Sequence, residues 1–160
     1  MNSNGKNEYI EQIIERYSDL LLKTAYTILR SVDDAEDAVQ ETFIKLITKK
    51  PHFNDSEHEK RWLLRVTVNI SRNMLKSFSR KNCQLDENIA YVHTEDRGDV
   101  FEAVMKLPER YRTAVFLHYY EGYSIGEIAT ILHIPSSTVG THLSRARQLL
   151  KKILKEDLEL

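Results

Sequence analysis

Cysteine is nearly absent. The 160 residues contain one, Cys83. A lone thiol excludes an intrachain disulfide and fits a reducing compartment. There is no CxxC, and the six histidines, at positions 52, 58, 93, 118, 133 and 142, are nowhere closely paired. No metal-ligand spacing is present, so no metal site is expected. Apolar runs long enough to cross a bilayer are missing. The first residues, MNSNGKNEY, lack the apolar stretch of a signal peptide, and a cytoplasmic location is expected. No Gly-rich phosphate loop or nucleophile elbow occurs, which argues against an enzyme. Proline is scarce, and Pro51, Pro108 and Pro135 all stand where helices break or begin.

What is present is charge, in blocks. Charged residues make up 29% of the chain and hydrophobic ones 41%, enough for a core. The net charge is −1, but residues 1–41 sum to −5, residues 42–82 to +7 and residues 83–100 to −4. Residues 140–155 hold five basic side chains and no acid. Basic blocks suit phosphate, and an acidic block suits a basic protein partner.

The run YSIGEIATILHIPSSTVGTHLSRARQLLKKI, from Tyr123 to Ile153, reads as a helix, a tight turn and a basic helix. Ser124 and Glu127 form a capping box. Ile125, Ile128, Ala129 and Leu132 make an apolar stripe at helical spacing. Pro135 stops that helix, and Ser136 or Ser137 can cap the next. Val139, Leu143, Ala146, Leu150 and Ile153 form a buried face, with Thr141, His142, Ser144, Arg145, Arg147 and Lys151 on the other. A second helix bearing hydroxyls and arginines is how a helix is offered to the DNA major groove. An ordinary helical hairpin with a solvated face carries the same pattern.

The remainder also reads as helical. Ile10, Ile13, Ile14, Tyr17, Leu21, Ala25 and Ile28 mark one long amphipathic helix. Asp33 and Glu36 form a second capping box, opening a helix over about 34–48. Residues 49–57 are a polar loop with Phe53 in its middle. A third helix spans about 59–79. Its expected core face is Trp62, Val66, Ile70 and Met74, with Leu63 beside them. Arg61, Arg65, Asn69, Arg72, Lys76 and Arg80 recur at the complementary spacing. Residues 60–81 hold seven basic side chains and no acid, so attraction to phosphate should be strongly salt-dependent. An asparagine among them suits hydrogen bonding to a base edge. A solvated charged face is the bland alternative. Leu107-Pro108 opens a helix to about Tyr120, stopped at Gly122.

Three segments resemble the sigma-70 family of bacterial RNA polymerase sigma factors. DDAEDAVQETFIKL looks like the core-polymerase-binding segment. KRWLLRVTVNISRNMLKSFSRK is similar to the strand-opening segment that reads the −10 promoter element. LPERYRTAVFLHYYEGYSIGEIATILHIPSSTVGTHLSRARQLL resembles the helix-turn-helix domain that reads the −35 element. Short members with two domains are the extracytoplasmic function (ECF) sigma factors. The resemblance implies an all-α fold. It implies a region 2-like bundle over 1–80, a flexible linker over 81–98 and a region 4-like domain over 99–160.

By the same resemblance, Asp34, Asp37, Gln40 and Glu41 would meet the clamp helices of the polymerase's largest subunit. Phe53, Arg61, Arg65, Asn69, Arg72 and Lys76 would take the −10 element, with Asn69 near the pocket for a flipped base. Ser136, Ser137, Thr138, Gly140, Thr141, His142 and Arg145 would face the −35 element, with Arg147 on a phosphate. Implied partners are core RNA polymerase, including its beta-subunit flap, promoter DNA and an anti-sigma factor. No cofactor, metal or small-molecule substrate is implied. Two departures stand out: Gly140 and His142 replace the Lys or Arg of many relatives, and His133 replaces the glycine common at the turn, where a left-handed residue is needed. The two DNA elements lie roughly 55 Å apart, and an extended linker of 18 residues reaches about 60 Å. Separate binding of the two domains, with the polymerase holding them in register, is therefore expected.

Overall fold

The structure, a computed structural model, describes residues 3–80 and 99–158. The expected linker over 81–98, including Cys83, lies outside the described residues. All regular structure among the described residues is helical. The chain divides into two compact units, Met1–Asn88 and Ile89–Leu160.

The first unit packs three helices pairwise: α1 (Ser3–Leu29), α2 (Val32–Lys49) and α3 (Ser56–Arg80). Between α1 and α2 only Arg30 and Ser31 leave the helix, and Arg30 takes a left-handed conformation, φ 56°. Ser31 is the N-cap of α2, its hydroxyl accepting from the Asp34 N–H at 3.2 Å. The capping box expected at Asp33 and Glu36 is therefore displaced. Asp33 and Asp34 lie in the first turn instead, where carboxylates offset the positive helix end.

The core of this unit joins Ile13, Tyr17, Leu21, Ala25 and Ile28 of α1 to Ala35, Ala38, Val39, Phe43 and Leu46 of α2. Ile14, expected inside, is 38% exposed. On α3 the buried face is Leu63, Leu64, Thr67, Val68, Ile70 and Ser71, while Trp62, Val66 and Met74 are half-buried. The expected face is thus rotated. A search for apolar residues passes over Thr67 and Ser71, yet both are buried, Thr67 against α2. Thr42 and Thr67 hydroxyls meet there at 2.9 Å, satisfying each other away from water.

The second unit contains α4 (Asp99–Met105), α5 (Glu109–Val115), a π-helical turn (Phe116–Tyr120), α6 (Ile125–Leu132) and α7 (Ser136–Leu158). α4 was not expected; it buries Ala103, Val104 and Met105 and packs on α5 and α7. The helix expected to run from Pro108 to Tyr120 instead widens at Phe116, where the Glu121 N–H reaches the Phe116 carbonyl at 3.2 Å. Gly122 then takes φ 75° and ends it, as its lack of a Cβ permits. The core of this unit includes Leu107, Tyr111, Val115, Leu117, Ile128, Ile131, Leu132, Val139, Leu143 and Ala146. Leu150 and Ile153 are half-buried, and Ile125 is exposed.

Candidate nucleic-acid interface

Three surfaces gather the side chains that the sequence singles out. The first is the outward face of α2. Asp37, Gln40 and Glu41 are exposed there and Asp34 is half-buried. One and two turns further along the same stripe stand Ile44, 57% exposed, and Ile47, 48% exposed. Carboxylates followed by bare isoleucines make a face that is both acidic and adhesive. The sequence reading missed the isoleucines because it assigned no partner to them.

The second surface is α3 and the loop before it. Arg65, Asn69 and Lys76 are exposed, and Arg61 and Arg72 are half-buried. All five lie on one side of α3, away from the buried Thr67. Phe53, in the loop of residues 50–55, is half-buried with its ring edge-on to Trp62 at 5.7 Å and to His58 at 5.4 Å. Trp62, read from sequence as core, is thus a support for Phe53. The loop is fastened at both ends. Lys50 turns the chain in the left-handed region, φ 47°, its N–H reaching the Leu46 carbonyl. At the other end the Asp55 carboxylate accepts from the His58 N–H at 2.7 Å, starting α3. The Asn54 N–H donates to His58 Nδ1 at 3.1 Å.

Behind this loop lies an apolar groove of about 800 Å³, walled by Tyr9, Ile10, Ile47, Pro51 and Phe53. At its edge Glu59, 8% exposed, accepts hydrogen bonds from Tyr9 at 2.6 Å and Tyr17 at 3.1 Å. Burial first, and the neighbouring Glu59 carboxylate second, push the Tyr9 hydroxyl well above the ordinary tyrosine pKa. Tyr17 shifts the same way, again mainly through burial.

The third surface is the helix pair α6–α7. Ser124 and Glu127 make the expected capping box, at 3.1 and 3.3 Å. His133 takes the left-handed position, φ 57° and ψ 48°, where the sequence required it. α7 starts at Ser136, and the Pro135 carbonyl accepts from the Val139 N–H at 3.1 Å. Ser136 and Ser137 are therefore first-turn residues rather than caps. They are exposed, as are Thr141, Ser144, Arg145 and Arg147. Thr138, Gly140 and His142 are half-buried.

The structure separates this set. Ser137, Thr141, Ser144 and Arg145 share the outward face of α7. His142 lies to one side with its ring against Tyr111 at 5.4 Å. Arg147 lies to the other, donating to the Tyr119 hydroxyl at 3.0 Å. A Cβ on Gly140 would meet nothing within 4 Å, so no internal packing calls for glycine there.

Residues 13–81 match the family model for Sigma-70 region 2, and residues 97–150 that for Sigma-70, region 4. The RNA polymerase sigma factor SigV of Bacillus subtilis is 31% identical over 85% of this chain and 86% of its own. The chain belongs to the sigma-70 family. Within it, this sigma factor sits in the ECF group. The ECF RNA polymerase sigma factor SigW of Bacillus subtilis is 27% identical over 95% of this chain and 92% of its own. Among solved structures, the sigma factor RpoE in complex with the anti-sigma factor NepR from Bartonella quintana matches with a TM-score of 0.76. That match has 25% identity and covers 91% of this chain and 96% of that one.

Proposed function

We propose that this sigma factor divides promoter recognition among the three surfaces. The acidic and apolar face of α2 (Asp34, Asp37, Gln40, Glu41) docks on the clamp helices of the largest polymerase subunit. Opposite charge guides that encounter and fixes its register. The α3 face then meets the non-template strand of the −10 element. Arg61, Arg65, Arg72 and Lys76 attract its backbone, Phe53 offers a ring for an unstacked base, and Asn69 offers an amide to a base edge. The outward face of α7 enters the major groove at the −35 element, with Ser136, Ser137, Thr138, Thr141 and Arg145 toward the bases and Arg147 toward a phosphate. The region 2-like unit over 1–80 and the region 4-like unit over 99–160 bind separately on the polymerase surface, which raises the effective concentration of the second contact. The protein acts in the cytoplasm without cofactor, metal or chemistry of its own. An anti-sigma factor that covered these faces would silence it; the similar sigma factor RpoE is known in complex with an anti-sigma factor, NepR.

The observation that most supports this reading is the outward set on α3. Arg65, Asn69 and Lys76 are exposed along a helix whose head carries a ring cluster, with no buried cation among them. The test is run-off transcription with core RNA polymerase on a pool of random upstream sequences. The expected result is dependence on added protein and enrichment of two elements at a fixed spacing. Nanomolar, promoter-specific binding by the protein alone in a gel shift would contradict the dependence on core enzyme.

A further inference from the structure

Glu59 is the only buried carboxylate among the described residues, 8% exposed at the head of α3. Its two oxygens serve different donors. Oε2 accepts from the Tyr9 hydroxyl at 2.6 Å and Oε1 from the Tyr17 hydroxyl at 3.1 Å. Both tyrosines belong to α1, about two turns apart. Among the described residues no cation pairs with this carboxylate. Taking a carboxylate out of water is costly, and an apolar side chain at the same place would spare that cost. What the carboxylate adds is direction. Two hydroxyls on separate oxygens fix the rotation of the α3 head against α1, where apolar contact alone would let it turn.

The rings of the candidate strand-capture surface hang from that head. The Glu59 N–H reaches the Asp55 carbonyl at 3.2 Å, and the Asp55 carboxylate holds the His58 N–H at 2.7 Å. His58 and Trp62, on either side of Glu59 in sequence, are the two rings that Phe53 meets. Behind Phe53 lies the apolar groove, which Phe53, Tyr9 and Glu59 line together. Open space cannot hold a ring by packing. The posture of Phe53 therefore depends on its edge contacts with His58 and Trp62, and theirs on the rotation of the α3 head.

We propose that Glu59, clamped by Tyr9 and Tyr17, is a positioning residue for strand opening, setting the angle at which Phe53 is presented to an unstacked base. Glu59 and the two tyrosines act through the ring cluster and need not touch DNA. The role rests on the reading of α3 given above. A glutamate in the first turn of a helix reads as an ordinary partner of the helix dipole, which hides this role in the sequence.

Trp62 is the chain's one tryptophan, so its emission reports on the ring cluster directly. Tyr9→Phe keeps the ring and removes the hydrogen bond. In the full chain it is expected to shift the Trp62 emission. In holoenzyme assembled with core RNA polymerase it is expected to lower permanganate reactivity at the −10 element roughly fivefold, with affinity for core enzyme and for the upstream element unchanged. Glu59→Gln keeps an acceptor for Tyr9 and can donate its amide to the Tyr17 oxygen. It is expected to open DNA nearly as well as the wild type, while Glu59→Ala loses at least as much as Tyr9→Phe. Normal opening, or an unshifted Trp62 emission, in Tyr9→Phe overturns the role. So does a parallel loss of core affinity and opening, which would mark a weakened fold and nothing more specific. Phe53→Ala is the control for the α3 reading: if it opens DNA normally, that reading fails and the positioning role falls with it.

Discussion

α3 and α7 are both long helices, apolar inward and cationic outward, yet different groups stand beside their charges. On α3 the neighbours are an amide, Asn69, and a set of rings, Phe53, Trp62 and His58, at the head of the helix. On α7 they are hydroxyls, with Ser136, Ser137, Thr141 and Ser144 exposed along the first three turns and Arg145 next to the last of them. Rings and an amide serve bases that have left the duplex, since every base has a face to stack and an edge to bond. Hydroxyls and a guanidinium fork reach base edges in an intact groove. The shared cationic ridge supplies attraction to nucleic acid, and its companions decide whether paired or unpaired DNA is held.

Breaking one helix and not the other gives the largest expected effect. Leu64 is fully buried in the first unit, and Leu64→Ala should cost about 3 kcal/mol there. Hydrogen exchange should show α3 losing protection while α7 keeps it; joint loss would end the contrast between two independent platforms. Next comes Arg145→Ala, expected to lower affinity for the upstream element by about 2 kcal/mol. Permanganate reactivity per bound complex should not change, and a strand-opening defect would blur the division of labour. Phe53→Ala and Asn69→Ala should do the reverse, each weakening strand opening by about 1 to 2 kcal/mol with duplex binding retained. Normal permanganate footprints would remove those residues from the site. Gly140→Ala has room for its methyl group and should stabilise α7 by about 0.5 to 1 kcal/mol in thermal melts. If promoter binding falls nonetheless, the backbone at Gly140 approaches DNA closely.

The smallest test is alkaline. Tyr9 and Tyr17 have raised pKa values in the folded first unit. The stability they carry is complete below the unfolded tyrosine pKa, near 10, and drains away as pH climbs beyond it. Tyr111, lowered first by the Arg110 guanidinium and then by that of Arg145, acts oppositely. The folded second unit gains from it as pH rises toward the unfolded value. Unit-resolved hydrogen exchange between pH 9 and 11 should show the two responses diverging, and Tyr9→Phe should flatten the first.

Local signals were legible wherever a short range of chain decides the outcome. The capping box at Ser124 and Glu127, the left-handed His133, the inward face of α7 through Ala146 and the outward cations of α3 all follow from spacing and side-chain chemistry. The misses trace to interactions between elements. Ser31 wins the α2 cap over Asp33 because the α1–α2 connection is only two residues long. Thr67 and Ser71 lie in the core although their side chains are polar, and nothing in an apolar count reveals that. α4 is seven residues long, too short to be stable alone, and exists by resting on α5 and α7. Trp62 reads as core in a one-dimensional stripe, and only the folded loop brings Phe53 onto it. The three candidate faces were visible as residue lists; the separation of His142 and Arg147 onto opposite flanks of α7 was not.

The π-helical turn at Phe116–Tyr120 holds one residue more than an α-helical path of equal rise would need. Each residue of a helix advances its neighbours by about 100°. One more residue inserted between Phe116 and Tyr120 would find no slack left to absorb it, and it would swing everything after it by that angle. Tyr119, which now receives Arg147, would be carried away from its partner, and Gly122 would no longer release the chain in the direction that α6 requires. This stretch is therefore expected to tolerate substitution far better than any added residue.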